Sequence, residues 1–193
     1  MNNNYEVYKE ILKKRLNEKR YFHSLCVADE AKRLASIYGG DTEKCYLAGL
    51  LHDITKNTPD EEHLQIFESF GIMLNDIEKN AKKLWHAISG EAYIKYILKI
   101  DDSELLDAVR YHTTAKKNMS LTAKILYLAD FTSRDRDYED VDVIREIVDK
   151  SIEEAMVYTL KYSINDLLEQ SKAVHFDTLE AYNEVVGGNN GSI

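Results

Sequence analysis

The sequence has little proline, glycine or cysteine, and each scarcity excludes a class of structure. Its 193 residues include one proline, eight glycines and two cysteines. So few turn-forming residues argue against a protein of many short strands, because tight turns between strands depend on them. Cys26 and Cys45 lack the CxxC spacing of thiolate metal sites, and two cysteines are too few for a disulfide framework. We therefore expect both to be small core residues of a protein from a reducing cytoplasm.

The sequence also lacks an excess of positive charge and any long hydrophobic run. Its formal net charge of −9 disfavours broad binding to nucleic acid or to an anionic membrane. No segment approaches the roughly 20 apolar residues of a membrane span, and the start, MNNNYEVYKE, does not resemble a signal peptide. We expect a cytoplasmic protein without nucleic-acid or membrane partners. Its oligomeric state stays open, with a homodimer as one option.

Apolar residues recur at intervals of three and four along the whole chain, which is the spacing of helices with one buried face. With 44% hydrophobic and 31% charged residues, the chain suits one globular domain. We predict an all-α, single-domain bundle over residues 1–184 and a flexible tail over 185–193. The expected helices cover about residues 5–16, 20–38, 42–54, 60–70, 74–83, 86–98, 102–113, 120–132, 141–162 and 164–183.

Several ionisable side chains fall on the apolar faces of these helices. In the second helix, for example, His23 lies four residues before Val27 and extends the apolar stripe backwards by one turn. The run CYLAGLLHDITK ends its apolar part in a histidine and an aspartate. Five helices are thus expected to direct four imidazoles and two carboxylates into the interior. These side chains are His23, His52, Asp53, His86, His112 and Asp130.

Each of these residues, taken singly, has an ordinary structural explanation. A lone inward histidine is usually a hydrogen-bonded core residue, and Asp130 could pair with Arg134 or Arg136. Taken together, the groups would cost several kcal/mol to bury unless they shared a partner of opposite charge. A divalent cation is the simplest shared partner. Mixed imidazole and carboxylate ligands suit iron, manganese, zinc or cobalt.

The other histidines and the nearby basic residues fit this set less well. His63 follows a turn among acidic residues, and we expect a solvated or helix-capping role for it. His175 comes late in the chain, where it could approach the site or simply pack. The basic side chains could either reach an anion at the metal or be plain surface residues. They are Arg20, Lys56, Arg134 and Arg136.

Four stretches together resemble a known family. They read RYFHSLCVADEAKRLASIYGGD, LAGLLHDITK, YHTT and KILYLADFTSRDRDY. The ordered series of His23, the His52–Asp53 pair and Asp130 resembles the HD superfamily of metal-dependent phosphohydrolases. The combined motifs resemble its YqeK-type branch, the symmetrical hydrolases of diadenosine tetraphosphate. The resemblance covers roughly residues 5 to 183 and implies an HD-type helical bundle.

The resemblance implies a role for each matching position. The metal would be iron, as one or two ions, with manganese as the alternative. Asp53 would orient the attacking water and accept its proton, and Lys56 would face the phosphates. The implied ligands are His23, His52, Asp53 and Asp130, with His86 and His112 either completing a second metal site or binding phosphate. The implied substrate contacts are Arg20, His23, Asp53, His86, His112, Thr113 and Arg136.

One stretch departs from the family pattern. Residues 131–135 read FTSRD, where the family usually has a sequence closer to YIEPG. No implied ligand is replaced by this change. The departure leaves open the local shape of the loop and the substrate preference.

The reaction implied by the resemblance is cleavage of the central bridge of diadenosine tetraphosphate, which gives two molecules of ADP. Other HD enzymes act on nucleoside monophosphates, cyclic nucleotides or guanosine tetraphosphate alarmones, and the same ligands would serve them. A different alternative is a non-catalytic helical module that uses a metal for stability or senses nucleotides. Six potential ligands exceed the four of a closed structural site, which favours an open or two-metal centre.

Overall fold

The computed structural model describes residues 5–189, and within that range the chain forms α-helices joined by short turns, with no β-strand. The prediction of an all-α bundle is therefore confirmed. A 3₁₀ turn at Lys82–Leu84 precedes the sixth helix, and a π-helical turn at Tyr93–Ile97 follows it. The helices are α1 (Tyr5–Arg15), α2 (Glu18–Tyr38), α3 (Thr42–Leu51), α4 (Asp60–Ser69), α5 (Asp76–Asn80), α6 (Trp85–Ala92), α7 (Ser103–Tyr111), α8 (Leu121–Thr132), α9 (Val141–Val148), α10 (Ile152–Glu169) and α11 (Phe176–Asn189).

The last third of the chain differs from the predicted helix boundaries. The single helix expected over 141–162 is wrong, because Ser151 adopts an extended conformation and its hydroxyl accepts a hydrogen bond from the Glu154 N–H, which starts α10 afresh. The helix expected over 164–183 is also wrong, since α10 continues to Glu169 and α11 begins only at Phe176. Apolar spacing continues across the first break and conceals it. A capping serine three residues before a glutamate was the available signal.

The predicted boundary between domain and tail at residue 184 stays a prediction. Helix α11 runs to Asn189, past residue 184, and its Ala181 is buried in the core. The remaining predicted tail residues, 190–193, lie outside the described part of the chain.

Two expectations about burial and membranes can be compared with the structure. Cys26 and Cys45 are both buried and unbonded, as expected for core residues. Between residues 5 and 189, none of the helices combines the length and the apolarity needed to cross a membrane.

The core forms where α2, α3, α7 and α8 pack together. Helices α2 and α3 approach most closely at Gly49, where an added Cβ would lie 2.7 Å from the Cα of Ala28 and 2.9 Å from the carbonyl oxygen of Val27. Only a residue without a side chain permits this backbone contact. The contact fixes the end of α3, and with it His52 and Asp53, against the helix that carries His23.

Substitution of Gly49 tests how far the bundle depends on this contact. We expect Gly49→Ala to lower the free energy of unfolding by about 1–3 kcal/mol, because the new methyl group meets backbone atoms that cannot turn aside. Urea unfolding followed by the fluorescence of Trp85, the only tryptophan, measures the change.

Gly187→Ala is the matched control, since Gly187 lies in α11 and its Cβ would enter open space among the described residues. We expect this substitution in a helix to leave the free energy of unfolding unchanged or to raise it by up to about 1 kcal/mol. Equal stability of the two variants would contradict the account of the α2–α3 contact.

Candidate metal centre

Side chains from three parts of the bundle meet at one buried point. His23 comes from the middle of α2, His52 and Asp53 from the turn that ends α3, and Asp130 from the last turns of α8. The His23 Nε2 atom lies 2.9 Å from the Asp130 Oδ1 atom. The His52 Nε2 atom lies 3.6 Å from Asp53 Oδ2 and 3.9 Å from Asp130 Oδ1. The ligand atoms of His23, His52 and Asp130 lie within 4.8 Å of one another, close enough to hold one ion, and Asp53 adjoins this group through His52.

A second pair of imidazoles lies on the other oxygen of Asp53. His86, in the first turn of α6, has its Nε2 atom 3.2 Å from Asp53 Oδ1. His112, directly after α7, has its Nε2 atom 3.7 Å from the same oxygen and 3.1 Å from the His86 Nε2 atom. The structure therefore brings together all six inward side chains that the sequence indicated. Asp53 lies between two groups of imidazoles, with one oxygen toward each.

Backbone carbonyls fix the orientation of two of these rings. The His52 Nδ1 atom lies 2.7 Å from the carbonyl oxygen of Gly49, and the His112 Nδ1 atom lies 2.7 Å from that of Val109. A carbonyl oxygen can only accept, so in each ring Nδ1 carries a proton and Nε2 faces the centre. Burial lowers the pKa of His52 to about 4, which keeps this imidazole neutral. Neutral imidazole is the form that binds metal.

His23 is held differently, between two carboxylates. Its Nδ1 atom lies 2.8 Å from Asp135 Oδ2, on the ring edge opposite Asp130. Burial opposes a charge on this ring, but the hydrogen bonds to Asp130 and Asp135 raise the pKa of His23 to about 9. Burial likewise opposes ionisation of Asp135, but the hydrogen bond to His23 lowers its pKa to about 2. The two carboxylates set the position of His23, whose Nε2 atom must give up its proton before it binds a metal.

Asp135 is a site residue that the sequence reasoning missed. It is the last residue of the stretch FTSRD that departs from the family pattern. The departure replaces no inward ligand, yet it supplies the carboxylate that contacts His23. The signal was an acidic side chain five residues after Asp130, in a loop that turns back toward the site.

Cationic side chains surround the two central carboxylates. Arg20 Nη1 lies 3.2 Å from Asp53 Oδ2, and Lys56 Nζ lies 3.5 Å from Asp53 Oδ1. Arg136 donates to the carboxylate of Asp130 and, through Nε at 2.6 Å, to its backbone oxygen. Burial alone would raise the pKa values of both aspartates. The imidazoles and Lys56 hold the pKa of Asp53 well below its usual range, and Arg136 does the same for Asp130.

Lys56 lies beside the second pair of imidazoles, and Thr113 directly follows His112 in the chain. The Lys56 Nζ atom also lies 2.9 Å from His86 Nε2, and burial lowers the pKa of Lys56. The Thr113 hydroxyl is buried and has no hydrogen-bond partner among the described residues. Arg134, in contrast, is 64% exposed and lies 3.7 Å from Asp29. Of the two arginines after Asp130, only Arg136 reaches the centre.

The sequence predicts that His63 is solvated or caps a helix, and the first of these alternatives is wrong. Its side chain is 5% exposed, and its Nδ1 atom lies 2.8 Å from the hydroxyl of Ser89. Ser89 donates to Thr55 at 2.9 Å, and Thr55 donates to the backbone oxygen of His86 at 2.8 Å. Each hydroxyl has one hydrogen, so His63 must donate through Nδ1 at the start of this chain. The chain ties α4 and the turn after α3 to the backbone of His86.

Thr55 and Ser89 carry no sequence signal that separates them from ordinary core hydroxyls. Their role depends on how α4 and α6 pack. The sequence left open whether His175 approaches the site or simply packs. It packs, since its side chain contacts Asn75 and Glu78.

The chemistry of this site fits a divalent metal ion. The His52 Nε2 and Asp53 Oδ1 atoms are buried and have no hydrogen-bond partner within the described chain. Leaving such atoms unsatisfied costs about 1–3 kcal/mol each. Coordination to a shared cation satisfies them and balances the carboxylates. Two imidazoles with two carboxylates and no thiolate is a ligand set for iron, manganese, cobalt or zinc.

Comparison with known proteins finds a family and several relatives that match this chain. The HD domain family matches residues 20–135, a range that contains His23, the His52–Asp53 pair, Asp130 and Asp135. A Bacillus subtilis protein named symmetrical bis(5'-nucleosyl)-tetraphosphatase is 32% identical over 92% of this chain and 95% of its own. A Staphylococcus aureus protein of the same name is 36% identical over 93% of this chain and 95% of its own.

The fold has a close counterpart among solved structures. A crystal structure from Clostridium acetobutylicum, described as a predicted HD superfamily hydrolase involved in NAD metabolism, superposes with a TM-score of 0.92. That protein is 36% identical, and the match covers 96% of this chain and 98% of the other.

Metal addition tests the ligand set independently of any reaction. We expect Mn²⁺ to stabilise metal-free protein against urea, by about 2.7 kcal/mol at a free concentration 100 times the Kd, because the ion binds only the folded site. Asp53→Asn removes the charge shared by both imidazole groups and should abolish most of this gain. The measurement is the shift of the unfolding midpoint on adding the ion.

Glu91→Gln is the control for this experiment, since Glu91 is a half-buried acid that lies 4.0 Å from Arg110 outside the centre. This variant should respond to Mn²⁺ like the wild type. An undiminished response of Asp53→Asn would contradict the assignment.

Proposed function

Because the chain belongs to the HD domain family, we propose that it is a metal-dependent phosphohydrolase that splits diadenosine tetraphosphate symmetrically into two molecules of ADP. Relatives that match it almost end to end carry the name of that activity. The structural observation that carries the proposal is the position of Asp53. One of its oxygens faces His52 and the other faces His86 and His112, with Arg20 and Lys56 beside them.

The proposed metal is iron, as one ion or two. His23, His52, Asp53 and Asp130 would hold the first ion. Asp53, His86 and His112 would hold a second ion or would contact the phosphates directly. When bound, such an ion makes water a stronger nucleophile near neutral pH and draws electron density from a phosphoryl oxygen.

The side chains of the chain supply the remaining chemistry. Asp53 is ionised because the imidazoles and Lys56, against the effect of burial, hold its pKa well below the usual range, and we propose that it accepts the proton of the attacking water. Lys56 lies 2.9 Å from His86 and is proposed to bind the phosphate that is attacked. Arg20, Arg136 and Thr113 are proposed to hold the flanking phosphates. Such local cations are needed because the protein as a whole carries a net charge of −9 and repels an anionic substrate.

The neighbouring hydrogen bonds keep this arrangement in place before substrate arrives. The carbonyl oxygens of Gly49 and Val109 hold His52 and His112, Asp135 holds His23, and the Thr55 hydroxyl holds the backbone of His86. A preorganised set of charges stabilises a developing transition-state charge without reorganising during the reaction.

The wider organisation of the chain is also a proposal. We propose that residues 1–184 form the phosphohydrolase domain, with α11 extending it beyond residue 184, and that the protein works in the cytoplasm. The two buried, unbonded cysteines are consistent with a reducing environment.

Product analysis tests the proposed reaction. Purified protein incubated with diadenosine tetraphosphate and Fe²⁺ or Mn²⁺ should release ADP as the sole nucleotide product, resolved by anion-exchange chromatography. A chelator should stop the reaction. ATP plus AMP would keep the phosphohydrolase but reject cleavage of the central bridge, and no turnover with either metal would reject the proposed substrate.

Replacement of Lys56 tests the proposed phosphate contact. Lys56→Met keeps most of the side-chain volume but removes the charge, and we expect kcat to fall about 10²-fold because a charge on the transferring phosphate loses its partner. The metal-induced shift in unfolding midpoint should persist in this variant. Lys95→Met, on the π-helical turn, is the control and should retain wild-type turnover. Unchanged kcat in Lys56→Met would contradict the proposed role.

A further inference from the structure

A cavity of about 150 Å³ lies against Asp130, and Arg136 is the one proposed phosphate contact among its lining residues. Three of its five lining residues are aromatic. They come from the end of α8, from the loop that follows it and from α10. The lining residues are Asp130, Phe131, Arg136, Tyr138 and Tyr162.

The aromatic walls of this cavity are held by the protein itself. The Tyr138 hydroxyl donates to the backbone oxygen of Phe131 at 2.9 Å. The Tyr138 and Tyr162 rings lie with centroids 5.8 Å apart and planes inclined by 38°. On the other side, the Phe131 ring packs on Tyr127 at 5.2 Å. The rings therefore form a wall from three elements rather than a set of independent surface side chains.

Arg145 fixes the loop that forms one side of the cavity. Its guanidinium donates to the backbone oxygens of Thr132, Ser133 and Arg136, at 3.1, 2.9 and 3.1 Å. These bonds anchor both ends of the stretch between Phe131 and Tyr138. A ligand binds more favourably to a cavity that already exists, because no free energy is spent on ordering its walls during binding.

The charges around the cavity disfavour a phosphate as its occupant. Arg136 is the only cation among the lining residues, and its guanidinium already donates to both the carboxylate and the backbone oxygen of Asp130. The loop adds acidic side chains at Asp137 and Glu139, which are exposed. Arg20 and Lys56 are the cations that contact Asp53, and neither of them lines the cavity. An uncharged, planar aromatic group fits this setting better than an anion.

We propose that this cavity binds one nucleobase of the substrate, stacked on Tyr162 and Tyr138, while the phosphates lie at Asp53. This inference deepens the proposed function and rests on it, because a nucleoside polyphosphate is the ligand that carries both a planar base and phosphates. Asp130 contacts both the cavity and the metal centre, so the two parts of such a ligand can be bound at once. Stacking uses the face that every base presents and needs no hydrogen bond from the wall.

Direct binding measurements on Mn²⁺-loaded protein test the proposal without relying on turnover. Isothermal calorimetry compares ADP, which has a base, with inorganic pyrophosphate, which has none. Tyr162→Ala should weaken ADP binding about tenfold, because the stacking surface is lost. Pyrophosphate binding should stay within twofold of the wild type. Tyr162→Phe keeps the ring and should restore wild-type affinity for ADP.

Tyr158→Ala is the matched control, since Tyr158 lies one turn earlier on α10 and does not line the cavity. This variant should bind both ligands like the wild type. Urea unfolding of each variant, followed by Trp85 fluorescence, confirms that the fold is retained.

Other outcomes would overturn the inference in distinct ways. Equal affinity for ADP in Tyr162→Ala and wild type would show that the base lies elsewhere. Equal weakening of ADP and pyrophosphate would show that Tyr162 acts on the phosphates or on the fold. The proposed reaction fails separately: if ADP binding depends on the Tyr162 ring but diadenosine tetraphosphate is not cleaved, the base site stands and the substrate assignment falls.

Discussion

The structure depends most on a carboxylate that is buried among imidazoles. Asp53 is about as inaccessible to solvent as the apolar core residues around it, yet its pKa is held well below the usual range. Burial of a charge costs several kcal/mol unless oppositely charged groups compensate. Arg20, Lys56 and three imidazoles compensate this charge, while an imidazole nitrogen and a carboxylate oxygen have no hydrogen-bond partner within residues 5–189. A shared divalent ion explains why these two atoms are left unsatisfied.

The packing of the helices brings the side chains of the site together around Asp53. Gly49 lets α3 approach α2, so that the turn after α3 meets His23. The hydrogen-bond chain from His63 through Ser89 and Thr55 then ties α6 to the same turn. The helices thus act as rigid supports that each deliver one or two side chains. Flexible loops could not hold these atoms as closely, because positions on rigid elements vary less.

Much of this site could be predicted because helix periodicity is regular. An inward residue such as His23 or Asp130 is identified by counting three or four positions from apolar neighbours. Asp135 and the cavity beside Tyr162 could not be found in that way, because they depend on the path of a loop and on the packing of α10 against it. The break at Ser151 was missed for a related reason, since apolar spacing continues across it. Periodicity reports which face of a helix is buried, but it does not report where tertiary contacts redirect the chain.

The most direct test of the central claim is to locate the metal itself. A crystal of the iron- or manganese-loaded protein, measured at the absorption edge of that metal, would give an anomalous peak at each bound ion. We predict a peak at the point where the facing nitrogens and oxygens of His23, His52, Asp53 and Asp130 converge. A protein that binds the metal elsewhere, or whose four side chains keep their direct contacts with no peak between them, would contradict it.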